Sequence, residues 1–190
     1  MKVLVYGSTT FGGVVRVLVE ECGHQFAGFI DDLSPEAPSV LGSFDTVRAT
    51  AAPAAFACVN AVGYNDLAAR QRVTDRILAA GYTMPSLVHS RAMVGRDSRI
   101  GAGALIMAGA IVDCRVQIGD CVVLWPGAVV AHDSVVEANT FLSPNSTICG
   151  CCRIGGGCFV GAGAVIVDHA TVPAGTRIKA GERFVTRRTT

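Results

Sequence analysis

His132 and Asp133 are the adjacent pair in this chain best suited to acid–base chemistry. A histidine exchanges a proton near neutral pH, and a carboxylate beside it can orient the imidazole and raise its basicity. Gly150 follows eighteen residues after His132. With no side chain there, a backbone N–H and open space are left beside the ring. A base next to a bare N–H donor is half of an acyl-transfer site, because the donor can receive the developing oxyanion. The chain has four histidines, His24, His89, His132 and His169, and a lone histidine is more often only solvated or hydrogen-bonded. Asp133 and the relation to Gly150 are what single out His132.

That eighteen-residue relation has meaning because of a repeat. From Val88 an aliphatic residue stands at every sixth position, through Val94, Ile100, Ile106, Val112, Ile118, Leu124 and onward to Ile178. Four residues after each comes a small or compact residue, among them Ala104, Ala110, Ser134, Thr140, Cys152, Cys158 and Ala164, until Glu182 breaks the rule after Ile178. A period of six fits neither a helix nor an ordinary strand. It predicts a parallel β-helix in which each hexad makes one flat face and three faces complete a turn. Eighteen residues are then one coil, so Gly150 stacks over His132, which occupies an outward position. Asp133, Cys151 and His169 share a second column on successive coils. Periodicity does not give the hand of winding.

Residues 1–84 follow different rules. Lys2–Tyr6 reads as a strand ending at Gly7, followed by Gly12-Gly13 and a helix over residues 14–21. A second strand over 26–30 runs into Asp31-Asp32, and a segment of little order rich in Ala, Pro and Ser follows. A third strand around 55–62 leads to Gly63, Tyr64 and Asn65, then a helix over 66–80 capped by Gly81. Strands alternating with helices predict a small Rossmann-like parallel α/β domain over 1–84, ahead of a β-helix domain over 85–190. Ligands bind at the strand-end loops of such sheets. The first loop, GSTTFGG, is not a dinucleotide fingerprint. It is either a tight turn or a helix N-terminus that accepts phosphate.

Composition narrows the class. Hydrophobic residues make up 51% and charged residues 16%, which suits a packed globular protein and argues against disorder. A net charge of +1 gives no field drawing the chain to nucleic acid or anionic membrane. Neither a membrane-spanning run nor a signal-peptide layout is present, so a cytoplasmic protein is expected. Eight cysteines include the cluster Cys149, Cys151, Cys152 and Cys158. Two of these fall in the small inward slot, where a thiol acts as a small hydrophobe. No spacing completes a zinc site, so no metal is expected.

Taken together, these features resemble the hexapeptide-repeat acyltransferases, and within them the nucleotide-sugar N-acetyltransferases of bacillosamine and perosamine synthesis with their sialic acid O-acetyltransferase relatives. The resemblance rests on the glycine-rich first turn, Asp31-Asp32, AVGYN at 61–65, SLVH at 86–89 and GALIM at 103–107. It rests further on His132-Asp133, SPN at 143–145 and Cys149-Gly150. It implies a left-handed β-helix, a homotrimer and acetyl-CoA as co-substrate. It casts His132 as general base, Asp133 as its tuning carboxylate, and Gly150 as donor to the thioester carbonyl. Ala162 and Ala180 would line the pantetheine track, with Phe141 near the acetyl group. Ser8, Thr9, Thr10, Phe11, Asp31, Asp32, Gly63 and Asn65 would hold the nucleotide-sugar. Members often carry histidine where Phe11 and Phe141 stand and glutamate at Ala131.

The expected reaction is acetyl transfer to a sugar amine, with transfer to a sugar hydroxyl or a non-catalytic trimeric scaffold as alternatives. A zinc hydratase on the same β-helix is disfavoured, because His89, His132 and His169 lack the spacing for convergence. The basic tail, Arg177, Lys179, Arg183, Arg187 and Arg188, is either solvated or meets CoA phosphates.

Overall fold

The computed structural model describes residues 1–186. Arg187 and Arg188 lie outside the described residues. The chain forms two compact units, Met1–Leu87 and Val88–Thr190.

In the first unit, three parallel strands, β1 (Lys2–Tyr6), β2 (Gln25–Ile30) and β3 (Phe56–Asn60), pair in the order β2-β1-β3. The central strand is apolar throughout its interior, and Val3, Leu4 and Val5 are fully buried. Helix α1 (Thr10–Glu21) covers the sheet through Val15, Leu18 and Val19. It begins four residues earlier than the sequence suggests, taking Gly12 and Gly13 into its first turn. The cause is a close approach. A Cβ on Gly12 would lie 2.1 Å from the Gly7 carbonyl oxygen, so only glycine lets this helix start against the end of β1.

Helix α2 (Phe44–Thr50) lies where the sequence predicts little order. Seven residues are too few to display a 3.6 period, and its signal is local: Ser43 accepts the Thr46 N–H, while Phe44 and Val47 are buried. Helix α3 (Leu67–Ala79) is capped by Asp66, which accepts the Ala69 N–H at 2.7 Å. Gly81, at φ +83°, turns the chain away after it. No described helix is long and apolar enough to cross a membrane.

The Gly12 contact yields a test. Gly12→Ala must force the helix from the strand end, an overpacking cost of about 1–3 kcal/mol. At roughly 2–4 °C per kcal/mol for a chain of this length, the melting temperature should fall by several degrees. An unchanged calorimetric transition would contradict the contact.

The second unit is a parallel β-helix of about five turns, consistent with left-handed winding. Its two-residue strands stack into three parallel sheets. One coil runs Val123–Leu124, Val129–Val130, Val135–Val136. Each pairs with the strand eighteen residues on: Val123 with Phe141, Val129 with Thr147, Val135 with Arg153. The second residue of each strand points inward, and Leu124, Val130, Val136, Leu142 and Ile148 are fully buried. Val94 is 41% exposed, since the first coil has nothing stacked below it. At the corners the small slot does more than save space. Ser134 donates to the Cys149 carbonyl at 3.0 Å and accepts the Cys152 N–H at 3.0 Å, so backbone groups inside the turn stay satisfied. Many corners pass through the left-handed region, including Arg115, Asp133 and Cys151 at φ 57°, 60° and 58°.

Candidate functional site

Residues 131–134 form the corner between the strands Val129–Val130 and Val135–Val136. The strand before it buries Val130, so the imidazole of His132 projects outward, with its side chain 51% exposed. Asp133 takes the left-handed conformation, which aspartate tolerates better than most residues. That bend turns its carboxylate back to the ring, and His132 Nδ1 lies 2.8 Å from Asp133 Oδ2. An ionised carboxylate only accepts, so Nδ1 is the donor in this bond and Nε2 points away from it.

Asp133 is held from a second side. Arg115, one coil below, donates Nε to Oδ1 at 2.7 Å and Nη2 to Oδ2 at 2.8 Å. The Arg115 guanidinium, and after it the imidazole, keep the Asp133 carboxyl well below the usual carboxylate range. Asp113 on the same corner column as Ala131 is also lowered, first by the Cys114 N–H it accepts at 2.7 Å. The ion pair is therefore intact at every pH above the ordinary carboxylate pKa. Its contribution fades only as acid protonates Asp133 at the depressed value.

Gly150 stands one coil above. A Cβ there would fall 2.7 Å from His132 Nε2 and 2.7 Å from Cε1. The missing side chain is thus what leaves room for the imidazole where it bears Nε2. Among the described residues no partner takes the Gly150 N–H, while its carbonyl accepts His169. Cys151, stacked over Asp133, is exposed, and its sulfur falls within 4.8 Å of ligand atoms of His132 and Asp133.

The structure brings together His132, Asp133 and Gly150, and adds Arg115 and Cys151. It does not bring Phe141, Ala162 and Ala180 to them within one chain. Phe141 opens the strand Phe141–Leu142 on the face opposite the His132 edge. There it is buried in a ladder with Trp125 and Phe159, each ring 6.1 Å away. Ala162 and Ala180 are exposed at a different corner, stacked one coil apart. Arg177 covers the Phe159 ring at 4.5 Å, which gives one tail arginine a packing role.

In the first unit, the carboxyl ends of the three strands surround a cavity of 320 Å³. Tyr6, Gly7, Thr9, Asp31, Asp32 and Gly63 line it, with Leu33, Val62 and Val73 giving it an apolar wall. Thr9, the residue before α1, lines the cavity and does not cap the helix through its side chain. Asp31 is engaged by Ser8 through backbone and hydroxyl and by the Leu33 and Ser34 N–H groups. Asp32 accepts from Tyr6, Arg76 and the Phe44 N–H. Both carboxyls are held below the ordinary range against the opposing effect of burial. Their first structural task is to shape the loops. Thr10 is exposed at the helix start, Phe11 is half-buried, and Asn65 is exposed outside the cavity lining.

Two predictions arise here. Asp133→Asn keeps the left-handed corner but removes the charge opposite the imidazole, and turnover should fall on the order of tenfold, part of what a general base contributes. Equal turnover for both proteins in a steady-state assay would remove Asp133 from the chemistry. The second concerns the thiols. Burial pushes Cys58, Cys152 and Cys158 up, leaving little thiolate at neutral pH. Iodoacetamide should therefore label exposed Cys151 well before those three, as read by peptide mass spectrometry; reversed order would contradict the placement.

Comparison with known proteins bears on the repeat and the fold. The model of the bacterial transferase hexapeptide repeat matches residues 97–132 and 133–168. No curated protein sequence matches the chain. Among solved structures, the acetyltransferase domain of PglB from Neisseria gonorrhoeae is 28% identical, with TM-score 0.87 over 97% of this chain and 91% of that one. The same domain in complex with acetyl coenzyme A is 29% identical, with TM-score 0.86 over 95% and 88%. PerB from Caulobacter crescentus, in complex with CoA and GDP-perosamine, is 27% identical, with TM-score 0.89 over 97% and 89%. With its coils and its eighteen-residue register, the second unit carries the bacterial transferase hexapeptide repeat over residues 97–168, and the chain as a whole is similar in fold to these acetyltransferases.

Proposed function

We propose that this protein transfers the acetyl group of acetyl-CoA to the amino group of a nucleotide-linked amino sugar. The observation that carries the reading is the imidazole of His132, fixed at Nδ1 by Asp133 and opened at Nε2 by the bare Cα of Gly150. The solved structures named above support the substrates, since one holds acetyl coenzyme A and another CoA with GDP-perosamine.

In the reaction the sugar amine attacks the thioester carbonyl. The new C–N bond gives a tetrahedral intermediate, His132 accepts the amine proton, and as the carbonyl re-forms and the C–S bond breaks that proton passes to sulfur, so that CoA departs as the thiol. The Gly150 N–H donates to the carbonyl oxygen as charge builds there. A thioester is already activated, so no covalent enzyme intermediate is required. The cavity bounded by Thr9, Asp31, Asp32 and Gly63 takes the nucleotide, with its phosphates at the start of α1 and its base against Leu33, Val62 and Val73. Ser8, Thr10, Phe11 and Asn65 complete the substrate loops from outside that lining.

Phe141, Ala162 and Ala180 serve acetyl-CoA only if a second copy supplies them, because one chain holds them on other edges and faces of the prism. This favours a homotrimer in which the thioester lies between neighbouring copies. Eight free cysteines fit a reducing cytoplasm, and a nucleotide-linked amino sugar as acceptor fits a role in glycan biosynthesis. CoA release measured against a panel of nucleotide-linked amino sugars and their hydroxyl counterparts tests the reading. Release with the amines, and none with the hydroxyl analogues, is expected; no release with any acceptor would sink it.

A further inference from the structure

Cys151 has no part in the reaction above, yet it stands within reach of the two residues that do. Its position is built, not incidental. Asp133 and Cys151 occupy the same corner on successive coils, both in the left-handed conformation, at φ 60° and 58°. The Cys151 N–H donates to the His132 carbonyl at 3.0 Å, which locks the two corners in register. Neighbouring strands of a parallel ladder lie about 4.8 Å apart, so the side chains leave the prism side by side. Gly150 between them adds no bulk. An imidazole nitrogen, a carboxylate oxygen and a thiol sulfur consequently fall within 4.8 Å of one another, all three residues open to solvent.

We propose that His132, Asp133 and Cys151 form an inhibitory site for a thiophilic divalent cation of the zinc type. One nitrogen, one oxygen and one sulfur are a ligand set that zinc, cadmium and cobalt accept in tetrahedral geometry. Calcium and magnesium, which demand oxygen ligands, are excluded by the sulfur and by the small ligand number. Three protein ligands leave a fourth position for water. Small shifts of exposed side chains close the triangle to bonding distance. Binding deprotonates the thiol and releases its proton to solvent, with no change of oxidation state. Arg115 donates to both Asp133 oxygens, so the cation shares the carboxylate with the guanidinium. The cation is no cofactor: the His132 nitrogen that faces Asp133 is Nδ1, and a metal there takes the place of its proton, which moves to Nε2, so the imidazole has no free nitrogen left to accept one. That inhibition rests on the function proposed above, whereas the binding does not.

The test separates the two. Co2+ is titrated into the purified, reduced full-length protein and followed by absorbance, then displaced with Zn2+. A near-ultraviolet sulfur-to-cobalt band is expected to saturate at one equivalent per chain. Cys151→Ser should abolish that band, and His132→Asn should weaken Co2+ binding more than about 100-fold, beyond the loss of an outer-shell partner. Cys149→Ser should leave both band and stoichiometry in place. Absence of a saturable band, or a band that survives Cys151→Ser, overturns the site. In the acetyl-transfer assay, Zn2+ should inhibit the unmodified protein at least tenfold more strongly than Cys151→Ser. Equal sensitivity overturns the inhibitory role. A protein that binds Co2+ through Cys151 but acetylates nothing would leave the site standing and remove the proposed reaction instead.

Discussion

His132→Ala is expected to cut acetyl transfer by about two to four orders of magnitude, the range a positioned general base contributes. The loss should appear in kcat, because the imidazole acts as the proton leaves the attacking amine. Acetyl-CoA binding, measured by calorimetry, should persist, since nothing assigns the ring a role in holding CoA. The fold should persist as well. His132 projects from a corner with its side chain 51% exposed, and the ladder bonds there belong to its backbone, whose carbonyl accepts the Cys151 N–H. A variant that melts normally, binds acetyl-CoA and still turns over at the original rate would end the general-base assignment. A variant that loses CoA binding would move His132 from chemistry to recognition.

Gly150→Ala should be nearly as damaging, for a different reason. The backbone at Gly150 does not lie in the left-handed region, so alanine meets no conformational barrier there. Its methyl group, however, would fall 2.7 Å from both Nε2 and Cε1 of His132. The exposed ring can swing away, so the coil survives and the melting temperature should barely change. The cost falls on the geometry: displacement by about 1 Å is worth on the order of a hundredfold in rate. The experiment therefore reads activity and thermal unfolding on the same sample. Low activity with intact stability is the expected pair. Full activity would show that the imidazole does not work from the observed position.

The repeat was legible from the sequence because its signal is long: each inward aliphatic predicts the next at a fixed interval. Val130, Leu142, Ile148 and Ile154 all lie in the core as that interval requires. The nearness of His132 and Gly150 followed from the same arithmetic. Arg115 did not emerge, although it precedes Asp133 by the same eighteen residues as Cys151 follows it. An arginine at an exposed corner looks like ordinary surface, and only the coordinates show both its nitrogens on one carboxylate. In the first unit, α2 was missed because a seven-residue helix leaves no period to read. The early start of α1 was missed because its cause, Gly12 against the Gly7 carbonyl, is a tertiary contact. Phe141 shows the other limit: pattern gives its outward direction, but not that it is buried in an aromatic ladder.

The ladder pairing of Val129 with Thr147 and Val135 with Arg153 also dictates how this protein tolerates changes in length. Inserting or deleting one amino acid between residues 133 and 149 would rotate everything downstream out of phase, separating the imidazole from its glycine. A whole added turn above residue 151 would leave that neighbourhood untouched. Evolution can therefore lengthen this molecule in steps of a full circuit at its far end, while the stretch joining its reactive corners admits substitution but not indels.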